Sequence, residues 1–295
     1  MLAHWDEVER ERLDSGEIQA WARDLGTAAG TVDVGVTRFE LDPGHRSSPV
    51  HIELAEEEIF YVLAGSGLLW QNEETHEIGA GDCVVALASE HMHAFVAGDD
   101  GLDLLAYGER KDAAMTYLPR AGVLRAGLTI DVSTGPPPWE RDAAAGPLEL
   151  PPPSPRPANV VNLDGVEGEY DGTWKRLARA AGSKRTGLNW GRLAAGESED
   201  NAHCHSAEEE LFVVLEGEGT IFLGEDAHPV RAGSVIARPA GTGVAHTWRA
   251  GDTDLVVLFY GTRDPNDIIF YPATKELYFK GVRLVVDVGG IAKGL

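Results

Sequence analysis

Cysteine is scarce in this 295-residue chain, in which Cys83 and Cys204 are the only two. Two thiols cannot build a disulfide framework, and their scarcity indicates a reducing environment. No apolar run approaches the length of a membrane span, and the charged N-terminal residues do not resemble a signal peptide. The sequence therefore predicts a cytoplasmic protein with no membrane partner.

Basic residues are also few, since 25 Lys and Arg stand against 48 Asp and Glu and give a net charge of -23. A nucleic-acid-binding surface needs a basic footprint, so this charge excludes nucleic acid as a partner. Apolar residues make up 43% of the chain, and its length suffices for two domains with buried cores. The 35 glycines suit a fold with many tight turns.

The sequence repeats itself. Residues 51–67 read HIELAEEEIFYVLAGSG and residues 203–219 read HCHSAEEELFVVLEGEG, an offset of 152 residues. The same offset, or one residue more, relates further matching positions in the two halves. Both halves contain a Tyr-Gly-x-Arg run, at 107–110 and 260–263. A register held over this distance indicates a duplicated domain.

Proline is concentrated between the two copies, at 136–138 and 151–157. Proline cannot donate ladder hydrogen bonds and favours extended chain. We therefore predict domains at 1–133 and 161–295, joined by a semi-rigid spacer at 134–160.

Most local signals are for strands. Short runs rich in β-branched and aromatic residues, closed by turn residues, predict strands at 32–41, 58–63, 102–107, 210–215, 220–223 and 255–260. One helix is expected at 8–23. Many short strands with close turns predict an all-β fold of sandwich or barrel type with few short helices.

Histidine and glutamate cluster in the second copy. His203 and His205 are two residues apart on a predicted strand, so both side chains point to one face. Glu210 follows on the next strand and His246 after a later turn. Three imidazoles and a carboxylate suit a first-row divalent metal with positions left for water or substrate.

This pattern resembles the cupin family. His203-x-His205-(x)4-Glu210-(x)6-Gly217 is similar to the first cupin motif, and Gly233-(x)5-Pro239-x-Gly241 followed by His246 is similar to the second. The resemblance covers about 28–130 and 180–285 and implies two tandem double-stranded β-helix, jelly-roll-like barrels. It also implies metal ligands at His203, His205, Glu210 and His246. The spacing from Gly241 to His246 exceeds that of the usual motif.

The first copy departs further from the motifs, because His51-Ile52-Glu53 stands where His-x-His is expected. Alignment with the second copy selects His93 over His91, so the expected ligands are His51, Glu58 and His93, with Glu53 as a possible fourth. A two-histidine, one-carboxylate set is an iron pattern. A barrel without metal, kept for packing, is the alternative for this copy.

Period 2 along the strands places further side chains beside the ligands. The expected cavity walls are Phe60, Val62 and Phe95 in the first copy and Phe212, Val214 and Trp248 in the second. Arg192 and Arg238 are candidates for holding a substrate carboxylate in the second copy.

The motifs predict fold and metal but not a single reaction. One hypothesis is a metalloenzyme acting on a small organic molecule, a dioxygenase, decarboxylase or isomerase with one or two divalent ions of Fe, Mn, Ni or Zn per chain. The alternative is a non-catalytic bicupin that binds or senses a small ligand around a structural metal. A homodimer at most is expected.

Overall fold

The computed structural model describes residues 2–127, 130, 131 and 135–290. The fold is all-β with few short helices, as predicted. The strands of the first half are β1 (Leu2–His4), β2 (Glu11–Ser15), β3 (Ile18–Asp24), β4 (Val34–Leu41), β5 (Ile52–Glu53), β6 (Glu58–Gln71), β7 (Glu74–Gly79), β8 (Asp82–Ala86), β9 (His93–Glu109), β10 (Met115–Leu118), β11 (Val123–Ala126), β12 (Ile130–Asp131) and β13 (Val160–Asn162).

The second half continues the pattern. Its strands are β14 (Trp174–Lys175), β15 (Thr186–Leu193), β16 (Cys204–His205), β17 (Glu210–Glu216), β18 (Glu218–Leu223), β19 (Asp226–Arg231), β20 (Ser234–Arg238), β21 (His246–Ala250), β22 (Leu255–Thr262), β23 (Ile268–Tyr271), β24 (Glu276–Phe279) and β25 (Leu284–Asp287). The helices are α1 (Leu25–Ala29), α2 (Pro138–Ala144), α3 (Leu177–Ala180) and a 3-10 turn at Leu163–Gly165. None of these helices has the length and apolar character that a membrane span requires.

Each half closes into an antiparallel barrel with its own apolar interior. In the first, β13-β8-β6-β9-β4-β3-β2 form one sheet, with β7 added to β6, and β12-β11-β10-β5 form another. In the second, the sheets are β1-β20-β17-β22-β15-β14, β19-β18-β21 and β16-β23-β24-β25. Phe60, Val62 and Phe95 lie in the first interior, whereas Phe212 and Trp248 lie in the second.

The helix expected at 8–23 is wrong, because this segment forms the β2–β3 hairpin. Gly16 makes the turn with a φ of +60°, a left-handed conformation that favours glycine. Ile18 and Ala20 are fully buried while their neighbours are not, which is the period-2 pattern of a strand.

The segment between the repeats, predicted as a semi-rigid spacer, is packed along the first barrel. Helix α2 carries Asp142, which is fully buried and pairs with Arg46 and Arg120. Further on, Trp70 donates from Nε1 to the Glu149 carbonyl at 3.1 Å, and Thr75 donates to that of Pro151 at 2.7 Å. Side-chain partners in the first barrel fix this course.

The barrels exchange edge strands. The segment before the first repeat adds a strand to the second barrel, and the segment before the second repeat adds one to the first barrel. Strand β1 pairs with β20 of the second barrel, with Leu2 opposite Ile236. Strand β13 pairs with β8 of the first barrel, with Val160 opposite Val84. Val84 and Ile236 are 152 residues apart, so the two additions are equivalent in the duplicated fold.

One apolar core joins the barrels. It includes residues of both, and Tyr107 and Tyr260, equivalent in the two repeats, face each other with ring centroids 4.9 Å apart. The middle glutamate of each Glu-Glu-Glu run forms hydrogen bonds with the other barrel. Glu57 accepts hydrogen bonds from residues 183–186, and Glu209 accepts them from the backbone N–H groups of residues 32–34.

Candidate metal centres

The first barrel brings His51, Glu58 and His93 together. One ligand atom from each lies within 4.8 Å of the others. Nε2 of His51 is 3.5 Å, and Nε2 of His93 3.3 Å, from the same Glu58 oxygen, Oε2. An isolated bridge between His51 and His93 fixes the spacing of the imidazoles, and Glu58 begins the neighbouring strand β6.

Backbone carbonyls orient both imidazoles in this group. Nδ1 of His51 donates to the Pro49 carbonyl at 3.0 Å, and Nδ1 of His93 donates to that of His91 at 3.1 Å. Since a carbonyl can only accept, Nδ1 carries a proton, and Nε2, directed at Glu58, is the ring nitrogen that can bind a metal. This orientation of a histidine by its other ring nitrogen is usual at metal sites.

Glu53 lies in the same cavity but outside this group of ligand atoms. Its carboxylate accepts from the Thr116 hydroxyl at 2.8 Å. Burial and the nearby Glu58 raise the pKa of Glu53 to about 7. Burial opposes the charge of His51, yet the nearby carboxylates of Glu58 and Glu53 raise the pKa of His51 to about 9.

The second barrel repeats this arrangement with one more histidine. His203, Glu210 and His246 place ligand atoms within 4.8 Å of one another. Nε2 of His205 and Nε2 of His246 lie 3.5 and 3.4 Å from Oε2 of Glu210. Burial and His203 hold the pKa of His246 well below its usual range, so its imidazole is neutral, the form that binds a metal.

Asp267 orients the extra histidine, and it lies outside the motifs that the sequence displays. Its Oδ2 accepts from Nδ1 of His205 at 2.7 Å, while its Oδ1 accepts from the backbone N–H groups of Ser206 and Ala207 at 3.0 and 2.9 Å. Burial opposes ionisation, but these donors lower the pKa of Asp267 to about 2. Asp267 has no acidic counterpart in the first copy, where Ala114 stands 153 residues earlier.

Asp267→Asn is expected to weaken metal binding at the second barrel about 10- to 100-fold, because His205 loses the carboxylate that fixes its tautomer. Competition with a chromophoric chelator measures this change. Asp264→Asn is the matched control on the same loop. Equal affinity in Asp267→Asn and wild-type protein would contradict the orienting role.

The donor sets fit a divalent metal. Four buried ligand atoms have no hydrogen-bond partner among the described residues: Glu58 Oε2, His93 Nε2, His205 Nε2 and Glu210 Oε2. A buried polar atom without a partner costs about 1–3 kcal/mol. Imidazole nitrogen and carboxylate oxygen suit Mn, Fe, Ni or Zn, and one ion in each barrel would satisfy all four atoms.

Each ligand group opens on a cavity. That of the first barrel, of about 510 Å³, is largely apolar, and Phe60 and Phe95 line it as predicted by period 2. The cavity of the second barrel, of about 600 Å³, has more polar walls, including Asn189, Glu199 and Tyr271. Phe212, Val214 and Trp248 pack in the core of that barrel, and Val62 in that of the first, so these four do not line the cavities.

The two arginines considered for a substrate carboxylate lie elsewhere. Arg192 pairs with Asp254 at 3.4 Å and does not line the cavity. Arg238 is buried on β20 opposite Glu210 and donates to the Val244 carbonyl. The cations that line the second cavity are Arg176, Arg263 and Lys280, which period-2 reasoning missed because they follow strands or lie in loops.

The fold and the ligand groups define a protein of two tandem double-stranded β-helix barrels, each with a His/Glu group suited to a metal. A family model, the cupin domain, matches the chain twice, at residues 37–106 and 189–260. The chain therefore belongs to the cupin superfamily and is a bicupin.

Solved bicupins share this architecture. Oxalate decarboxylase from Bacillus subtilis at pH 4.6 superposes with a TM-score of 0.64 at 15% identity, over 93% of this chain and 78% of that one. A structure used to study the Mn(II) centres of the same enzyme gives 0.62 at 15%, over 93% and 80%. A cupin 2 conserved barrel protein from Leptotrichia buccalis gives 0.50 at 16%, over 87% and 98%. These identities show the fold alone, and no curated protein matches the chain in sequence.

Proposed function

We propose that this bicupin is a metal-dependent enzyme that acts on a small organic molecule, of the dioxygenase or decarboxylase type. The observation that carries the proposal is the set of buried, unpartnered ligand atoms at the floor of each cavity. The proposed ligands are His203, His205, Glu210 and His246 in the second barrel, and His51, Glu58 and His93 in the first, with Glu53 beside them.

The second barrel is the stronger candidate for catalysis. It has a fourth ligand in His205, and Asp267 holds that imidazole in place at 2.7 Å. His203 is fixed through Nδ1, which donates to the Asn201 carbonyl at 2.8 Å. Preorganised ligands keep their geometry through a reaction cycle, which favours turnover over mere structural binding.

A bound divalent metal supplies Lewis acidity for substrate oxygens and, where redox-active, electron transfer. The chain's own residues supply the rest of the site. Phe259 and Trp174 form an apolar wall of the second cavity with ring centroids 4.9 Å apart, and this wall limits the access of water. Asn189 and Tyr271 supply polar groups that can orient a substrate.

The first barrel offers a two-histidine, one-carboxylate set under a more apolar cavity. Phe39, Phe60 and Phe95 line that cavity, which suits a substrate or ligand with an apolar body. Because Glu53 replaces the third histidine, we propose weaker metal binding here than in the second barrel.

Metal analysis of protein purified without chelator or metal-affinity resin tests the proposal. We expect between about one and two equivalents of Fe, Mn, Ni or Zn per chain, with the second barrel filled first. Protein that contains no metal and takes up none on titration would overturn the metalloenzyme proposal.

Gas exchange separates the reaction types. Metal-loaded protein incubated with a panel of small aromatic and aliphatic acids is monitored for O₂ consumption and CO₂ release. Turnover that consumes O₂ indicates a dioxygenase, and CO₂ release without net O₂ consumption indicates a decarboxylase. A ligand retained through purification without turnover by metal-loaded protein would favour a binding or sensing role.

The same proposal places the protein in the cytoplasm as a homodimer at most. The two barrels already cover each other through a shared core that contains Tyr107 and Tyr260, as the two subunits of a dimer would.

A further inference from the structure

The two cavities differ in the charge of their walls. Among the described residues, five acidic side chains and one arginine line the first: Glu9, Glu11, Asp24, Glu53, Glu58 and Arg125. Three acidic residues and three cations line the second: Glu199, Glu208, Glu210, Arg176, Arg263 and Lys280. In a chain of net charge -23, the charges on the walls of the second cavity thus balance, whereas the walls of the first are net acidic.

Comparison of the two copies shows how this difference in charge arises at one arginine, which is Arg110 in the first copy and Arg263 in the second. In the first copy Arg110 is neutralised locally, since its Nη2 lies 3.4 Å from the Asp24 carboxylate and donates to the Thr27 hydroxyl at 3.0 Å. Its Nη1 donates to the Thr31 hydroxyl at 3.2 Å. Arg110 therefore has its acceptors within the protein.

The equivalent Arg263 has lost those acceptors. At the positions 152 residues after Asp24 and Thr27 stand Arg176 and Arg179. One backbone contact has an equivalent: Arg110 Nη1 donates to the Thr31 carbonyl at 3.4 Å, and Arg263 Nη1 donates to the Ser183 carbonyl at 3.1 Å. Burial lowers the pKa of Arg263, and Arg179 and Arg176 lower it further.

The carboxylates that act on Arg263 already have other donors. Glu57 accepts from Ser183 and from the backbone of residues 184–186. Glu208 accepts from the Asp264 N–H and from Lys280. Among the described residues no carboxylate forms an ion pair with Arg263.

The guanidinium of Arg263 lies on the same face of the sheet as the metal-ligand carboxylate. Glu210, Gly261 and Gly187 are neighbours across β17, β22 and β15. A Cβ on Gly261 would contact the Glu210 side chain at 3.6 Å, and one on Gly187 would lie 3.3 Å from Nε and Nη2 of Arg263. Two strand spacings, about 10 Å, therefore separate the backbones beneath Glu210 and Arg263. Gly261 and Gly187 have no side chain, so the surface of the sheet between Glu210 and Arg263 is open.

Resting on the proposed function, we infer that the second cavity takes a small carboxylate anion, whose metal-binding end lies at Glu210 and its histidines and whose carboxylate pairs with Arg263. Arg176 is paired with Glu169 at 2.8 and 3.1 Å, and Lys280 with Glu208, so Arg263 is the cation of this cavity left for a ligand. A planar guanidinium binds a carboxylate through two parallel hydrogen bonds. The first cavity, with Arg110 neutralised, does not share this preference.

Calorimetric titration of Mn²⁺-loaded protein with glutarate tests the inference, and glutaramide serves as the uncharged probe. Arg263→Gln is expected to weaken glutarate binding roughly tenfold or more, with glutaramide unaffected. Arg110→Gln, the equivalent change in the first copy, is expected to leave glutarate binding unchanged. The double variant Arg176→Asp, Arg179→Thr gives Arg263 the partners of Arg110 and is expected to weaken glutarate binding to a similar extent.

Metal content measured on the same samples separates the two proposals. Arg263-dependent glutarate binding by protein that holds no metal would sustain the anion site and overturn the metalloenzyme. Metal-loaded protein that does not bind glutarate, or binds it equally in wild-type and Arg263→Gln forms, would overturn the anion site alone. A circular dichroism melt identifies any variant that fails to fold, in which case Arg263→Lys, which keeps the charge but not the paired hydrogen bonds, replaces it.

Discussion

His205→Ala is expected to abolish metal binding in the second barrel and, with it, turnover. The substitution removes one of four ligands and leaves Asp267 without its imidazole partner, so the affinity falls by more than about 100-fold. Metal content per chain and activity, measured on the same preparation, check this outcome. The first barrel keeps its ligands, so metal bound there remains.

Two further variants locate the effect. His51→Ala removes a candidate ligand of the first barrel and is expected to spare turnover. His228→Ala removes a histidine of β19 that belongs to neither group of ligand atoms and is expected to change nothing. A His205→Ala protein with full metal content would refute the assignment of this ligand, and activity lost only in His51→Ala would move the active site to the first barrel.

Glu57→Gln is expected to lower the free energy of unfolding by roughly 3 kcal/mol. One oxygen of Glu57 accepts from Ser183 Oγ at 2.9 Å and from Thr186 N and Oγ1 at 2.9 and 2.7 Å. An amide supplies only one acceptor oxygen and turns an NH₂ group toward donors. Burial opposes ionisation, but these donors lower the pKa of Glu57, so the charged form is the one that the fold requires.

Urea unfolding monitored by tryptophan fluorescence measures this loss. Glu56→Gln is the adjacent control, because Glu56 accepts from the Lys111 N–H at 2.7 Å and crosses no barrel boundary. Its cost is expected to stay below about 1 kcal/mol. Equal stability of Glu57→Gln and wild-type protein would mean that the hydrogen bonds of Glu57 add nothing to the stability of the boundary between the barrels.

The sequence was sufficient for the duplication, the all-β fold and the candidate ligands. The 152-residue register between His51 and His203 is a property of the chain itself. Strand parity and the spacing of Glu58 and Glu210 from the following glycines then place each carboxylate toward the barrel interior. Local periodicity carries this information because every side chain on one face of a strand meets the same surroundings.

Local pattern was less reliable where a segment depends on distant partners. Residues 8–23 form a hairpin because β3 pairs with β4, and the proline-rich segment packs because Asp142 meets Arg46. Phe212 and Trp248 satisfy the period of the strand, yet they lie beneath the cavity floor because the second barrel fills its interior with them. How deep a side chain lies within a barrel depends on the strands opposite it. The alternation of residues along one strand does not reveal this depth.

The sequence by itself therefore determined which residue types line up on which strands, since period 2 and an internal repeat need no knowledge of the fold. Only the tertiary structure decided that Asp267 holds His205 and that Glu57 and Glu209 tie one barrel to the other. It also decided that Arg263 forms no ion pair with an acidic residue in the described part of the chain. Each of these contacts joins residues about 60 to 180 positions apart, or depends on such a contact being absent. Closure of the barrels brings loops and strand ends together, and these contacts form where they meet.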